Sequence, residues 1–272
     1  MTAHPKETYD YENKVAVITG GSRNIGKMVA IELVKKGAKV VIGDLLDKEG
    51  QNTIQELNLM AKQQAAVYLH TDVAKYSDLI ALFQLAESTF GGVDIAFLNA
   101  GITMDHDLLL DPLDDEQDVK LMNVNTMGVI KGTKVAVRHL VKRGGGVIVA
   151  TSSGLGLESF SYSSIYNASK HAIVGWVRSF EHLPRVCNIR INAVCPHAVE
   201  TDLSKDFPEP MFKLVKSIGC ENTRIETVVK AVLLLIEDKN RNAQTLTALP
   251  NDIIELEEPP KIVAKGKLHF SI

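Results

Sequence analysis

The chain has 272 residues, of which 45% are hydrophobic and 23% are charged. This composition excludes collagen-like, disordered and disulfide-scaffold classes, and the length favours a single α/β domain. The 30 lysines and arginines against 33 aspartates and glutamates give a net charge of −3, which argues against nucleic acid or an anionic membrane surface as a partner.

The first 14 residues are polar and charged, and no later stretch approaches the roughly 18 apolar residues that a membrane-spanning helix needs. Cys187, Cys195 and Cys220 form no Cys-x-x-Cys pair. Three cysteines cannot all pair with one another, so a reducing compartment is the simpler interpretation, and neither a metal site nor redox chemistry is indicated. We therefore expect a soluble cytoplasmic protein.

Apolar runs of strand length alternate with longer helical patterns, as a parallel sheet with right-handed crossovers requires. Strands covered on both faces must be almost continuously apolar, and seven runs meet this condition, at residues 15–19, 39–43, 65–70, 95–99, 146–151, 190–195 and 244–248. Helices are predicted at residues 25–36, 48–62, 76–90, 116–142, 162–183 and 224–237. The pattern predicts a doubly wound sheet of seven parallel strands with helices on both faces.

No linker or internal repeat divides the chain, so residues 1–272 are expected to form one domain with a core of about 14–255. Residues 204–222 break the alternation and follow the sixth strand, at the edge where ligands bind in open α/β sheets, so we expect a lid there. The tail, residues 256–272, contains Pro259-Pro260, which precludes a helix. We expect it to pack against the body or against a partner subunit.

A glycine-rich turn joins the first strand to the first helix. It reads Thr-Gly-Gly-Ser-Arg-Asn-Ile-Gly from Thr19 to Gly26, and such a turn directs backbone N–H groups and the positive helix end at a phosphate. The turn alone is a weak indication, because many strand-to-helix turns bind nothing. Asp44 ends the second strand 18 residues after Gly26, near the spacing of about 20 at which an acidic residue bonds the ribose hydroxyls of NAD.

Asp44 and Arg23 give opposite indications about the cofactor. The Asp44 carboxylate repels the 2′-phosphate of NADP, whereas an arginine in the turn attracts it. We expect Asp44 to prevail, because it would bond both ribose hydroxyls directly, while Arg23 can be solvated or pair with Asp44. The residues therefore favour NAD, with NADP as the alternative.

Tyr166 and Lys170 lie one helical turn apart on the same face of the predicted fifth helix. The pair alone is common, and what makes it specific is Ser153, thirteen residues upstream of Tyr166 in a turn after the fifth strand. We interpret Tyr166 as a general acid/base and Ser153 as the group that holds the substrate oxygen. Lys170, helped by a nicotinamide cation, is expected to lower the tyrosine pKa from about 10 to about 7, which requires about 4 kcal/mol.

Five ordered features of residues 14–255 together resemble the short-chain dehydrogenase/reductase family in its single-domain subtype. They are the glycine-rich turn, Asp72-Val73, Asn99-Ala100-Gly101, Asn125-x-x-Gly128, and Ser153 with Tyr166 and Lys170. The resemblance implies a Rossmann-type fold and an NAD(P)-dependent oxidoreductase that interconverts a secondary alcohol and a ketone. It also implies a homodimer or homotetramer formed through the predicted fourth and fifth helices.

The resemblance also assigns roles to residues. The catalytic set that it implies is Ser153, Tyr166, Lys170 and Asn125, with Asn125 anchoring a water that relays protons from Lys170. The cofactor-binding residues that it implies are Gly20, Ser22, Arg23, Asn24, Ile25, Gly26, Asp44, Asp72, Val73, Asn99, Ala100, Gly101, Tyr166, Lys170, Pro196, Val199 and Thr201. Gly20 and Gly26 would cradle the pyrophosphate. Asp72 would receive the adenine amino group, and Thr201 would fix the carboxamide.

Three positions depart from the pattern of the family. Asn24 replaces its middle glycine, and asparagine tolerates a left-handed backbone, so the turn can persist. Leu98 replaces an asparagine at a strand end. His197 replaces a glycine after Pro196, where it would lie near the nicotinamide, either binding substrate or cofactor or simply packing.

Two rival functions stay open at this point, an NADPH-dependent ketoreductase in which Arg23 outweighs Asp44, and a catalytically silent dinucleotide-binding scaffold. Through the resemblance, a preference for NAD also implies alcohol oxidation, because cellular NAD is usually held oxidised. Residues 104–112, 155–165 and 204–222 should shape the pocket, and they are rich in apolar side chains, among them Leu108, Leu109, Leu110, Phe160, Phe207 and Phe212. They favour a bulky hydrophobic alcohol such as a terpenoid, steroid, fatty or polyketide-derived compound.

Overall fold

The structure, a computed structural model, describes residues 9–104, 113–161, 163–207, 209–217, 219 and 221–259. Within them lies one sheet with the strand order β3-β2-β1-β4-β5-β6-β7-β8. Its strands are β1 (Val15–Thr19), β2 (Lys39–Asp44), β3 (Ala66–His70), β4 (Ile95–Leu98), β5 (Gly146–Thr151), β6 (Ile189–Pro196), β7 (Thr245–Ala248) and β8 (Ile254–Glu257). All pairings are parallel except that of β8 with β7, which is antiparallel.

Helices cover both faces of this sheet. They are α1 (Asn24–Lys35), α2 (Asp47–Ala61), α3 (Tyr76–Phe90), α4 (Asp115–Met122), α5 (Gly128–Leu140), α6 (Ser164–Arg178), α7 (Leu183–Cys187), α8 (Glu209–Ser217) and α9 (Ile225–Glu237). None of the helices in the described part of the chain is long and apolar enough to span a bilayer.

The alternation of side chains along each strand divides the core into two layers. In β1, Ala16 and Ile18 belong to the layer that packs under α1 and α9. Val15 and Val17 point the other way, into the layer under α3 and α5. Every residue of β1 is buried, which explains its uninterrupted apolar sequence. The strand order reverses between β1 and β4, and this reversal opens a crevice at the carboxyl edge of the sheet.

The seven parallel strands are confirmed, and β8 is an eighth strand that the sequence pattern did not predict. Its residues Ile254–Glu257 pair with Thr245–Ala248, so the start of the expected tail is an ordered edge strand. The Glu257 carboxylate accepts a hydrogen bond from Thr247 Oγ1 at 2.8 Å. The segment alternates two apolar residues with two glutamates, so it lacks the continuous apolar run by which the other strands were predicted. Residues 260–272 of the tail lie outside the described residues.

The long predicted helix at 116–142 is interrupted. A π-helical turn, Asn123–Met127, separates α4 from α5, and a 3₁₀ turn, Val141–Arg143, ends the segment. The predicted helix at 162–183 ends early, at Arg178, and a separate short helix, α7, begins at Leu183. Pro184 lies in the first turn of α7, the one part of a helix that accommodates proline. The expected lid contains α8 and a preceding 3₁₀ turn, Leu203–Asp206.

The Trp176 side chain, on α6, forms a seam with Thr133 on α5 and with Phe180. The indole N–H donates to Thr133 Oγ1 on α5 at 3.3 Å. The indole also packs edge-to-face on Phe180, with ring centroids 4.7 Å apart. Val177 beside it is fully buried. Val177 therefore belongs to the core, whereas Trp176 is only partly covered.

Candidate active site

The glycine-rich turn has the close packing that a phosphate cradle needs. Gly20 has a φ of +66°, and a side chain there would approach Ala100 Cα to 2.8 Å. Gly26 lies against the Gly20 carbonyl, with no room for a Cβ. Helix α1 begins in this turn with no side-chain cap and no acidic residue in its first turn. Its first N–H groups therefore lack an anionic partner from the chain, which fits a bound phosphate.

Asn24 adopts the left-handed backbone that the family's glycine would supply, with a φ of +49°. Asparagine is the side chain that best tolerates this conformation. Its amide Nδ2 donates to Asp202 Oδ2 at 3.1 Å, on the opposite side of the crevice. The substitution therefore preserves the course of the turn and adds a contact to the segment after β6.

Asp44 is held in place by the backbone at the end of β2. Its Oδ2 accepts from Ser22 N at 3.0 Å and its Oδ1 accepts from Leu46 N at 3.2 Å. Ser22 Oγ is buried and has no hydrogen-bond partner among the described residues. A fixed carboxylate beside an unsatisfied hydroxyl fits the adenosine ribose and phosphate of a dinucleotide.

One alternative predicted from the sequence was that Arg23 pairs with Asp44, but the guanidinium pairs with Asp202 instead. Its Nη1 lies 3.4 Å from Asp202 Oδ2, and its side chain is half exposed. Ile25, two residues after Arg23, packs against the core layer under α1. The guanidinium is therefore directed toward the β6 side of the crevice.

The residues expected on the adenosine side follow β3 and β4. Asp72 caps its own turn, with Oδ1 accepting from Ala74 N at 2.9 Å. Val73 is buried, and a Cβ on Gly128 would approach it to 2.9 Å. Both side chains therefore lie at the carboxyl edge of the sheet, where that role requires them.

Asn99 ties three strands together at the bottom of the crevice. Its Nδ2 donates to the Gly20 carbonyl at 3.0 Å, and its Oδ1 accepts from Thr151 Oγ1 at 3.1 Å. The backbone N–H groups of Asn99 and Ala100 both donate to Thr19 Oγ1. This network fixes the floor between the glycine-rich turn and the end of β5.

Ser153, Tyr166 and Lys170 converge above the end of β5. The Tyr166 and Ser153 side chains are hydrogen-bonded, and Lys170 Nζ lies 5.5 Å from the centroid of the tyrosine ring. Lys170 Nζ also donates to the Thr151 carbonyl at 3.2 Å. A Cβ on Gly101 would be 3.4 Å from that ammonium. The geometry brings a phenol, a hydroxyl and an ammonium to one point of the crevice.

Burial controls the protonation of this group. It raises the pKa of Tyr166 to about 12, although the hydrogen bond with Ser153 partly opposes the change. It also lowers the pKa of Lys170 to about 8. The chain alone therefore leaves the phenol protonated, because desolvation disfavours the phenolate more than its neighbours stabilise it. The lowering to about 7 stays a prediction for the site with the charge of a bound nicotinamide added to that of Lys170.

Asn125 sits fully buried in the π-helical turn. Its Oδ1 accepts from Ile102 N at 2.8 Å, and its Nδ2 donates to Ile102 O at 2.9 Å and to Ser169 Oγ at 3.1 Å. Its Oδ1 would be 3.3 Å from a Cβ on Gly101, on the side that Lys170 Nζ also faces. Asn125 thus links the loop after β4 to the helix that carries Tyr166. π-Helical turns of this kind are frequent at functional sites.

The remaining residues that were expected to bind the cofactor lie at the end of β6 and in the segment after it. Pro196 ends that strand, and Val199 forms an isolated bridge with Thr223. Thr201 N donates to Ser204 Oγ at 3.2 Å, while Ser204 Oγ donates back to Thr201 O at 2.7 Å. This segment forms the wall of the crevice opposite the glycine-rich turn.

Two further side chains lie at the catalytic point. The His197 ring packs on Gly154, where a Cβ would approach its Cδ2 to 2.8 Å, so the imidazole borders Ser153. Phe207, from the expected lid, meets the Tyr166 ring edge-to-face with centroids 5.3 Å apart. Leu108, Leu109 and Leu110 lie outside the described residues, as does the side chain of Phe212.

Asp202 is a residue that sequence reasoning missed. It contacts Arg23 and Asn24, although it lies 178 residues beyond Asn24 in the chain. No spacing or motif signals such a contact. Only the folded sheet brings the end of β6 across from the end of β1.

Comparisons with known proteins agree with this geometry. Residues 14–211 match the family model described as short chain dehydrogenase. The chain is 37% identical over 191 residues to short-chain dehydrogenase reductase ATA1 of Arabidopsis thaliana, covering 70% of this chain and 67% of the relative. It is 35% identical over 198 residues to 3beta-hydroxysteroid dehydrogenase 2 of Eggerthella lenta, covering 72% and 75%.

A solved structure, that of levodione reductase, shares the fold. The superposition has a TM-score of 0.79 and covers 87% of this chain and 96% of that one, at 24% identity. The family match extends over most of the chain and includes the turn, the tyrosine and the lysine. The chain therefore belongs to the short-chain dehydrogenase/reductase family of NAD(P)-dependent enzymes that act on alcohols and ketones.

Proposed function

We propose that this protein is an NAD-dependent oxidoreductase that oxidises a secondary alcohol to a ketone by hydride transfer. The observation that carries the proposal is the convergence of Tyr166, hydrogen-bonded to Ser153, with the buried Lys170. A phenol, a hydroxyl and an ammonium at one point of a dinucleotide crevice are the parts that alcohol deprotonation needs.

In this mechanism Ser153 holds the substrate oxygen and Tyr166 removes its proton. A nicotinamide, when bound, accepts the hydride and brings a positive charge into the site. Because burial raises the tyrosine pKa to about 12, the phenolate forms only when nearby positive charge offsets the lost hydration. Lys170 contributes part of that charge, and its bond to Thr151 O holds the ammonium in place.

Asn125 supports the same site from behind. Its side chain is fixed by both backbone groups of Ile102, and its Oδ1 faces Gly101 on the side of Lys170. In our proposal it anchors a water that returns protons from Lys170 to solvent. The residues proposed to hold the cofactor are those of the glycine-rich turn, Asp44, Asp72 to Val73, Asn99 to Gly101 and Pro196 to Thr201.

The orientation of two side chains supports NAD over NADP. Asp44 presents a carboxylate fixed by two backbone donors, and that carboxylate would repel a 2′-phosphate. Arg23, which would attract the phosphate, extends toward Asp202 instead. The rival NADPH-dependent ketoreductase predicts a higher kcat/KM with NADP(H) than with NAD(H), so kinetics with both cofactors decides between the two.

The substrate that we propose is a bulky hydrophobic secondary alcohol, such as a steroid or terpenoid. Phe207 covers the Tyr166 ring with an aromatic edge, which favours an apolar body beside the reacting carbon. A relative at 35% identity is named for a 3beta-hydroxysteroid. A panel of steroid, terpenoid and fatty alcohols with NAD, followed by the absorbance of the reduced nicotinamide, tests the class.

The test of the chemistry is Tyr166→Phe. We expect a loss of about 100-fold or more in kcat, since that is the range that a general base contributes. NAD binding measured by calorimetry should weaken far less than kcat, because the glycine-rich turn and Asp44 are unchanged. Tyr76→Phe is the matched control, because Tyr76 lies on α3 and is 40% exposed. Near-wild-type turnover by Tyr166→Phe contradicts the proposal. Cofactor binding without turnover on any alcohol favours the silent scaffold.

A further inference from the structure

Asp202 joins the two walls of the crevice. It precedes the 3₁₀ turn Leu203–Asp206, on the wall after β6. Its Oδ2 lies 3.4 Å from Arg23 Nη1 and accepts from Asn24 Nδ2 at 3.1 Å. Both partners belong to the glycine-rich turn, and both extend a polar side chain across the crevice.

The carboxylate of Asp202 is ionised at neutral pH. Hydrogen bonds from Lys205, at 2.9 Å, and from Asn24 lower its pKa, and the Arg23 guanidinium adds to the effect. Its side chain is 40% exposed, so each of these contacts is individually weak. Asp202 nevertheless places an anionic partner for the Arg23 guanidinium on the wall after β6.

Arg23 has two directions open to it. Its neighbour Ser22 donates its backbone N–H to Asp44, so the backbone of Arg23 lies one residue from the proposed ribose site. A guanidinium turned toward Asp44 would meet a 2′-phosphate with paired N–H donors, an arrangement for which arginine is well suited. In this structure the side chain extends to Asp202 instead.

We propose that Asp202 is a positioning residue for cofactor choice: it holds Arg23 away from the adenosine ribose and thereby disfavours NADP. The inference rests on the proposed function, since it requires a dinucleotide in this crevice. Asp44 acts on the 2′-phosphate directly, whereas Asp202 acts only through the arginine that it holds.

The test is Asp202→Asn, with dissociation constants of NAD and NADP measured by isothermal titration calorimetry on the full chain. We expect the ratio of the NADP constant to the NAD constant to fall roughly two- to fivefold, the range by which exposed ion pairs shift equilibria. Asp202→Glu should restore the wild-type ratio. Asp252→Asn is the matched control, because Asp252 is equally exposed and pairs with Arg224 elsewhere on the surface.

The double variant Arg23→Ala with Asp202→Asn distinguishes an effect of Asp202 through Arg23 from a general effect of its charge. If Asp202 acts through Arg23, the double variant has the same cofactor ratio as Arg23→Ala alone. The inference is overturned if Asp202→Asn leaves the ratio unchanged, tightens both cofactors equally, or shifts the ratio even without Arg23. If the wild type binds neither cofactor, the proposed function itself fails.

Discussion

At the scale of single residues, the most consequential observation is the burial of two ionisable groups side by side. Tyr166 is 4% exposed and Lys170 is 3% exposed. Burial moves the pKa of the tyrosine up and that of the lysine down. The phenol of Tyr166 is therefore neutral in the chain alone, and keeping the Lys170 ammonium buried costs stability. Forming the phenolate requires positive charge that a bound ligand brings into the site.

The lysine yields a prediction about stability against pH. Its pKa is about 8 when folded and about 10.4 when unfolded, so between these values the unfolded chain holds a proton that the folded chain has released. Stability therefore rises with pH in that window. The free energy of unfolding of wild type, minus that of Lys170→Met, should grow by about 2 kcal/mol between pH 7 and 10.

Urea titrations at several pH values measure this difference. The subtraction cancels the opposing effect of Tyr166 and most of that of Cys195, whose raised pKa values make stability fall at higher pH in both variants. Lys170 itself lowers the pKa of Cys195, so part of the difference comes from this thiol. A difference that stays flat across the window would mean that Lys170 keeps an ordinary pKa in the folded protein.

The sequence anticipated part of this residue-level description. The left-handed conformation of Asn24 follows from its place in a glycine-rich turn, and the structure has it. The direction of Arg23 could not be predicted, because its partner comes from a distant part of the chain. The pKa of Tyr166 could not be predicted either, because it depends on how completely the folded chain excludes water.

At the scale of elements, periodicity located the strands but not the irregularities between them. Seven buried strands have an apolar signature, and all seven are present. The π-helical turn Asn123–Met127 adds a residue to one turn of helix, and a pattern with a period of 3.6 does not reveal such an insertion. β8 reads Ile-Glu-Leu-Glu, an alternation of only four residues, which is typical of an edge strand and lacks the continuous apolar run of the seven buried strands.

Edge strand β8 yields a prediction by truncation. A chain ending at Asp252 loses the pairing of β8 with β7 and leaves the N–H and C=O groups of Thr245–Ala248 exposed. We expect a Tm lower by roughly 5 °C and self-association, because unpaired strand edges recruit other strands. Calorimetry and size-exclusion chromatography measure both effects. A chain ending at Pro259 keeps β8 and is the control, and equal Tm values for the two truncations would contradict a stabilising role.

At the scale of the whole molecule, the fold was predictable because apolar runs of strand length alternate with helical patterns along most of the sequence. The assembly state remains a prediction, a homodimer or homotetramer through α5 and α6. The outer face of α6 carries Ala168, His171 and Gly175 as exposed residues. A Cβ on Gly175 would meet nothing within 4 Å, so a large side chain there is compatible with the folded monomer.

Gly175→Arg tests the predicted assembly. If a second copy packs on this face of α6, the arginine should shift the molecular mass measured by light scattering toward the monomer, while the circular dichroism of the folded chain is retained. The Tm should fall, because assembly stabilises the folded state. Ala168→Ser, which adds one atom on the same face, is the conservative comparison. An oligomer that survives Gly175→Arg would place its interface elsewhere.

The seam that contains Trp176 has a practical consequence. The chain has one tryptophan, and its indole touches Thr133 on α5 and Phe180. Tryptophan fluorescence, excited at wavelengths that the six tyrosines do not absorb, therefore comes from a single known place in the native protein. A shift of its wavelength or polarisation reports loosening or covering of that seam, so unlabelled samples already carry an optical probe.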